Sequence, residues 1–175
     1  MKENFDSALT HVLESEGGWS DDSTDAGGAT MKGITFAVFK EFKRNPHLTK
    51  DDLRNISDQD IHDIYKQLYW DKVHGDDLPN GVDYAVFDSA VNMGVGRASK
   101  FIQETVGATA DGVLGPASLS AIQKADTREL IEKFSQLKND FYHGIVESRP
   151  DQVKYLNGWL NRVAQVKNTS ESMIA

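Results

Sequence analysis

With 175 residues, 39% of them apolar and 26% charged, the chain suits one soluble domain large enough to bury a core. It has no cysteine, no apolar run long enough to span a membrane and a net charge of −8, which argue against disulfides, membrane insertion and a nucleic-acid footprint. The five His (11, 47, 62, 74, 143) lack HxxxH or HExxH spacing and the opening MKENFDSALTHV lacks the apolar centre of a secretory signal, so no metal, no cofactor and no Sec address are expected.

Phe5, Ala8, Leu9, Val12 and Leu13 recur at i, i+3, i+4, i+7 and i+8, which predicts an amphipathic first helix stopped by Gly17-Gly18. Residues 19–34 lose that period and are rich in Gly, Asp, Ser and Thr, the composition of a loop or small hairpin. Thr35 is placed to cap a short helix bearing Phe36, Phe39 and Phe42, which ends before Pro46. Ser57 and Asp60 resemble a capping box whose acid is one methylene short, opening a helix with Ile61, Ile64, Tyr65 and Leu68. After the turn GDDLPNG (75–81), the stretch VDYAVFDSAVNMG (82–94) is apolar around most of its circumference, which predicts a buried central helix. Ala98, Phe101, Ile102, Thr105 and Val106 carry the period on to Gly107; DGVLGP (111–116) then turns, with Pro116 at a first helical position. Thr127 is expected to cap a long helix through Leu130, Phe134, Leu137, Phe141 and Ile145. A last helix follows Pro150 with Val153, Leu156, Leu160 and Val163, and the end NTSESMIA (168–175) is expected to fray. The fold class is mainly α, with one polar interruption after the first helix.

Two glutamates near the end of the first helix differ in direction. At about 100° per residue from Phe5, Leu9 falls near ~40°, Val12 near ~340° and Glu16 near ~20°, whereas Glu14 falls near ~180°. Glu14 is then a solvated carboxylate and Glu16 lies on the buried stripe, one position before the helix breaks. Partial burial and the negative end of the helix dipole both favour the protonated form there, as a general acid working near neutrality requires. The alternative is a structural Glu16 paired with a base or capping the helix.

A second group would come from the loop. Asp25, on a flexible, polar, glycine-flanked loop, stays ionised, able to position or activate water, with the Thr30 hydroxyl to hold it; two carboxylates with opposed pKa values are the apparatus of glycoside hydrolysis. Asp21 and Asp22 compete for that role, and each is also a natural turn former. On the central helix, Tyr84, Asp88 and Asn92 fall at i, i+4 and i+8, a polar stripe that is either satisfied internally or faces a wet cleft suited to sugar hydroxyls and acetamides. Trp19 and Trp70 are candidate sugar platforms. Charge is uneven: residues 1–96 hold 9 Lys+Arg against 18 Asp+Glu, and residues 97–175 hold 10 against 9. Either this asymmetry is chance, or the second half is the one able to approach an anionic polymer that the first half cleaves.

EGGW (16–19), DAGGAT (25–30) and KGIT (32–35), in that order, resemble the opening motif of glycoside hydrolase family 108, the lysozyme-like N-acetylmuramidases of phage endolysins and prophage regions. Trp19 stands where Tyr is common, and Asp22-Ser23 where Asp-Pro is usual. FDSAVNMGVGRASKFIQ (87–103), DGVLGPASLSAI (111–122) and NGWLNRV (157–163) resemble the predicted peptidoglycan-binding region that follows it in this family. The resemblance implies a lysozyme-like body of two lobes, catalytic over 1–92 and peptidoglycan-binding over 93–167. It also implies cleavage of the β-1,4 bond between N-acetylmuramic acid and N-acetylglucosamine, with Glu16 catalytic and no cofactor. Asp25 is further supported by the resemblance of the Glu–Asp–Thr order to that of phage-type lysozymes, which has one more residue between the last two. The partner implied is bacterial peptidoglycan and the expected state a monomer. Such an enzyme is expected to wait in the host cytoplasm for a separate membrane lesion. A lytic transglycosylase and a non-catalytic murein-binding protein are the rival readings.

Overall fold

The computed structural model describes residues 2–24 and 27–174. Among them are nine α-helices and one small antiparallel sheet, a mainly α architecture. The chain divides into two compact units, Asp6–Leu68 and Met1–Phe5 with Tyr69–Ala175.

In the Asp6–Leu68 unit, helix α1 (Phe5–Ser15) turns Ala8, Leu9 and Val12 inward. Three two-residue strands follow: β1 (Trp19–Ser20), β2 (Thr30–Met31) and β3 (Ile34–Thr35). β2 is central, pairing Met31 with Trp19 and with Ile34, and Thr30 with Ser20 and with Thr35. Thr35 then caps α2 (Phe36–Lys43), its hydroxyl accepting from the Val38 amide. A helix with too few residues to show a period, α3 (Lys50–Arg54), is opened by a full capping box between Thr49 and Asp52. The next, α4 (Asp58–Tyr65), starts on half a box: Ser57 accepts from the Asp60 amide, but the Asp60 carboxylate is drawn to Lys43 at 3.1 Å. Phe39, Leu53, Ile61, Ile64 and Tyr65 close this core.

The other unit is built on α5 (Val82–Met93), buried from Val82 to Ala90. Asp83 secures its start, accepting from the Gly81 and Tyr84 amides at 2.9 and 2.7 Å and from Asn4 at 2.7 Å. Gly94, at φ +92°, ends α5 and opens α6 (Val95–Thr105). At the end of α6 the Ala108 amide donates to Gln103 and the Gly107 amide to Glu104, a glycine-terminated double bond that satisfies the last carbonyls. The buried Gln103 amide then ties down the 111–118 turn, donating to Asp111, the Val113 carbonyl and Ser118. Helix α7 (Pro116–Lys124) begins with proline, as the sequence requires.

Two ends differ from expectation. Helix α8 (Thr127–Ser148) is capped by Asp126, not Thr127, because the Asp126 carboxylate reaches the Glu129 amide at 2.9 Å. Helix α9 (Val153–Ser172) runs through most of the segment expected to fray. Val166 and Ser170 are buried, and a side chain on Gly81, at φ +86°, would collide with the Ser170 carbonyl. α9 lies against α8 and α5. The 92/93 boundary drawn from sequence falls in the last turn of α5, inside this unit, where α5 packs on α6, α8 and α9.

Candidate active site

Glu16 continues the last turn of α1, its amide donating to the Val12 carbonyl at 3.2 Å. It is half-buried, while Glu14 is exposed beside His11, so the two carboxylates point as the helical wheel requires. Glu16 lies against the turn between β2 and β3. Lys32 and Gly33 form a two-residue hairpin loop with φ +48° and +79°, the left-handed pair a tight, right-twisting hairpin demands. A Cβ on Gly33 would stand 2.8 Å from Glu16 Oε2 and 2.6 Å from the Tyr65 hydroxyl. The absence of that carbon lets both oxygens converge on the turn. Tyr65, buried on α4, donates its hydroxyl to the Lys32 carbonyl at 2.6 Å and so fixes the turn from below. KGIT therefore reads physically as a turn, a seat for Glu16 and a helix cap. Gly33 and Tyr65 were not among the site residues expected: Tyr65 sits in an apolar period, and a hydroxyl's partner leaves no trace in a helical pattern.

Thr30 is half-buried in β2, across from Ser20 and Thr35. Asp25 lies outside the described residues. Its two rivals are engaged elsewhere in the loop. Asp21 pairs with Lys50 at 2.9 Å. Asp22 accepts from the Thr24 hydroxyl at 2.7 Å and the Thr24 amide at 2.8 Å, and those bonds, the hydroxyl first, hold its carboxyl below the usual range. Trp19 is half-buried in β1 with the Arg54 guanidinium 5.5 Å above its ring.

Three of the expected sugar-contacting residues are internal instead. Trp70 is fully buried between Phe5 and Phe87, with ring centroids at 5.3 and 5.4 Å, and its indole N–H donates to Asp76 at 2.9 Å. It is a core ring with a satisfied polar tip, not a platform. Tyr84 is buried too. Asp88, 1% exposed, accepts from Arg162 at 2.8 Å and Asn92 at 3.2 Å and faces Lys138 at 3.8 Å. Its stripe is thus satisfied from within, by cations on helices far along the chain that spacing could not reveal. Burial holds Lys138 well below the usual lysine range, partly offset by the Asp88 charge. Only Asn92 of that stripe is exposed, at the rim of a cavity of about 430 Å³ among α5, α6, α8 and α9.

Comparison with known proteins agrees with these motifs. The family model described as Glycosyl hydrolase 108 matches residues 9–94, and the one described as Predicted Peptidoglycan domain matches residues 97–164. Among solved structures, SagA of Brucella abortus is similar at 34% identity, with a TM-score of 0.84, covering 99% of this chain and 97% of that one. No curated protein matches. On the ordered motifs, the two family matches and a structural likeness spanning nearly the whole chain, the protein belongs to glycosyl hydrolase family 108 and carries that family's glycosidase segment followed by a peptidoglycan domain.

Proposed function

We propose that the chain is an N-acetylmuramidase that hydrolyses the β-1,4 bond from N-acetylmuramic acid to N-acetylglucosamine in peptidoglycan, with Glu16 as general acid. The observation that carries this reading is the placement of Glu16: half-buried at the carboxyl end of α1 and seated against the bare Cα of Gly33. Partial desolvation and the helix end both favour a carboxyl that keeps its proton until a leaving oxygen takes it. As the bond from muramic-acid C1 to the glucosamine O4 breaks, Glu16 delivers its proton to O4 and positive charge gathers on the sugar ring. Ionised Asp25 steadies that charge or takes the proton of the water that adds to C1, and Thr30 orients the water. The Glu–Asp–Thr order of the sequence supports Asp25 for this role, while Asp21 pairs with Lys50 and Asp22 accepts from Thr24. Trp19, beside Glu16 in the chain and already bearing Arg54 on its ring, is the sugar platform we assign to this side of the substrate.

Mass spectrometry of fragments released from purified cell walls tests the reaction. Wild type yields products with a reducing muramic-acid end, and Glu16→Gln releases none while melting at the same temperature. Asp25→Asn falls by at least tenfold, further than Asp22→Asn. Products lighter by one water would show an internal hydroxyl attacking C1, as in a lytic transglycosylase. Full release by Glu16→Gln would end the assignment.

A further inference from the structure

The cavity beside Asn92 is lined mostly by the segment matched to a peptidoglycan domain, from Arg97 to Arg162, with Asn92 and Met93 from the end of the preceding match, and it shares no residue with the site around Glu16. Its chemistry is specific. Arg97 on α6 is exposed at one side, 4.6 Å from the Phe141 ring. Arg162 on α9 lines the cavity too, held in place by Asp88 at 2.8 Å. Two guanidinium groups thus stand against the single Asp88 carboxylate, so the cavity keeps a positive balance in a chain of net charge −8. One wall is aromatic: Tyr142 stacks on Trp159 with centroids 5.0 Å apart and planes at 22°, and Tyr155 continues the row at 5.9 Å. Tyr142 is held above the usual phenol range by burial and by Asp88, while Arg162 and Arg97 both pull it down. Its hydroxyl therefore lies within the field of both guanidinium groups.

The geometry points to a ligand site for a carboxylate-bearing muropeptide, with a stem-peptide carboxylate held between Arg97 and Arg162 and the adjoining peptide or acetamide against the Tyr142–Trp159 wall and the Asn92 amide. Guanidinium groups match a planar carboxylate with paired N–H donors. A volume of about 430 Å³ is that of a small-molecule site. The aromatic wall and the amide suit the peptide and acetamide groups that accompany such a carboxylate, whereas a bare phosphodiester polymer offers neither. The inference rests on peptidoglycan being the substrate, and it adds a second point of grip, specific for the peptide and separate from the cleaved bond.

The test uses full-length Glu16→Gln protein and a soluble disaccharide-tetrapeptide, with affinity read by calorimetry. Adding Arg97→Ala, an exposed change with little risk to the fold, weakens binding by tenfold or more, as does Trp159→Ala with its melting temperature checked. Capping the peptide carboxylates as methylamides costs a similar factor. Unchanged affinity for the capped ligand, or in the Arg97 variant, overturns the site. Equally tight binding of the peptide-free disaccharide, whose acid is the lactyl group, overturns the assignment to the stem. These readings are of binding in a chain without the proposed acid, so they stand or fall apart from the cleavage assay.

Discussion

Gly33 shows how one missing carbon shapes the candidate site. Alanine there would have to keep φ near +79° and place a methyl 2.8 Å from Glu16 Oε2 and 2.6 Å from the Tyr65 hydroxyl. The backbone strain alone is of order 1 kcal/mol, and the carboxyl must swing off the turn to relieve the contact. Gly33→Ala should therefore lower kcat on cell walls by at least tenfold while circular dichroism still reports a folded, mainly helical protein. An unchanged rate would mean the seat on this turn is irrelevant to catalysis. The direction of Glu16 was legible in the sequence because a helical wheel needs only a period and one apolar anchor. The seat itself was not, since it joins residues 16, 33 and 65 through a turn whose φ values a string of letters only hints at.

At the scale of elements, the same short motif had two fates. Thr49-x-x-Asp52 and Ser57-x-x-Asp60 both place an aspartate where a capping box prefers the longer glutamate. Asp52 closes its box, accepting from the Thr49 amide at 2.7 Å and the Thr49 hydroxyl at 2.9 Å. Asp60 is diverted by Lys43. The bonds from Thr49, the backbone one first, hold the Asp52 carboxyl below its ordinary 3.8. A carboxyl depressed in the folded state contributes stability above 3.8 that is lost as pH falls through the folded value. Asp52→Asn should lower the melting temperature at neutral pH, and its gap from wild type should narrow as pH drops below 3.8; a constant gap would show that the charge on Asp52 is not what matters. Helices α1, α2, α4, α5, α6 and α8 were legible through their apolar period, whereas α3, at five residues, is shorter than any period can show. The end of α9 was misread for another reason: Asn, Thr and Ser look solvated in a sequence, yet Ser170 is small enough to be buried where the backbone passes Gly81.

Across the whole molecule, the buried cluster of Asp88, Arg162 and Lys138 ties α5 to α9 and α8. Removing its one anion leaves two cations facing each other in a site that holds Lys138 at 2% exposure. Asp88→Asn should cost about 3–5 kcal/mol in urea unfolding, far more than Asp21→Asn, which breaks only a surface pair with Lys50. A loss under 1 kcal/mol would mean the cluster relaxes freely. The sequence showed Asp88 as a polar intrusion in an apolar helix but not which cations answer it, because 74 residues separate Asp88 from Arg162.

The meeting of Gly81 and Ser170 also bears on how the protein is made. The start of α5 at Gly81 is translated long before the final turn of α9 that packs on it, so this end of α5 leaves the ribosome without that cover. The Asp6–Leu68 unit is translated early, whereas the unit around α5 is completed only once the end of α9 has emerged. In the interval the nascent chain offers a sticky, uncovered helix, the kind of surface that cellular chaperones hold.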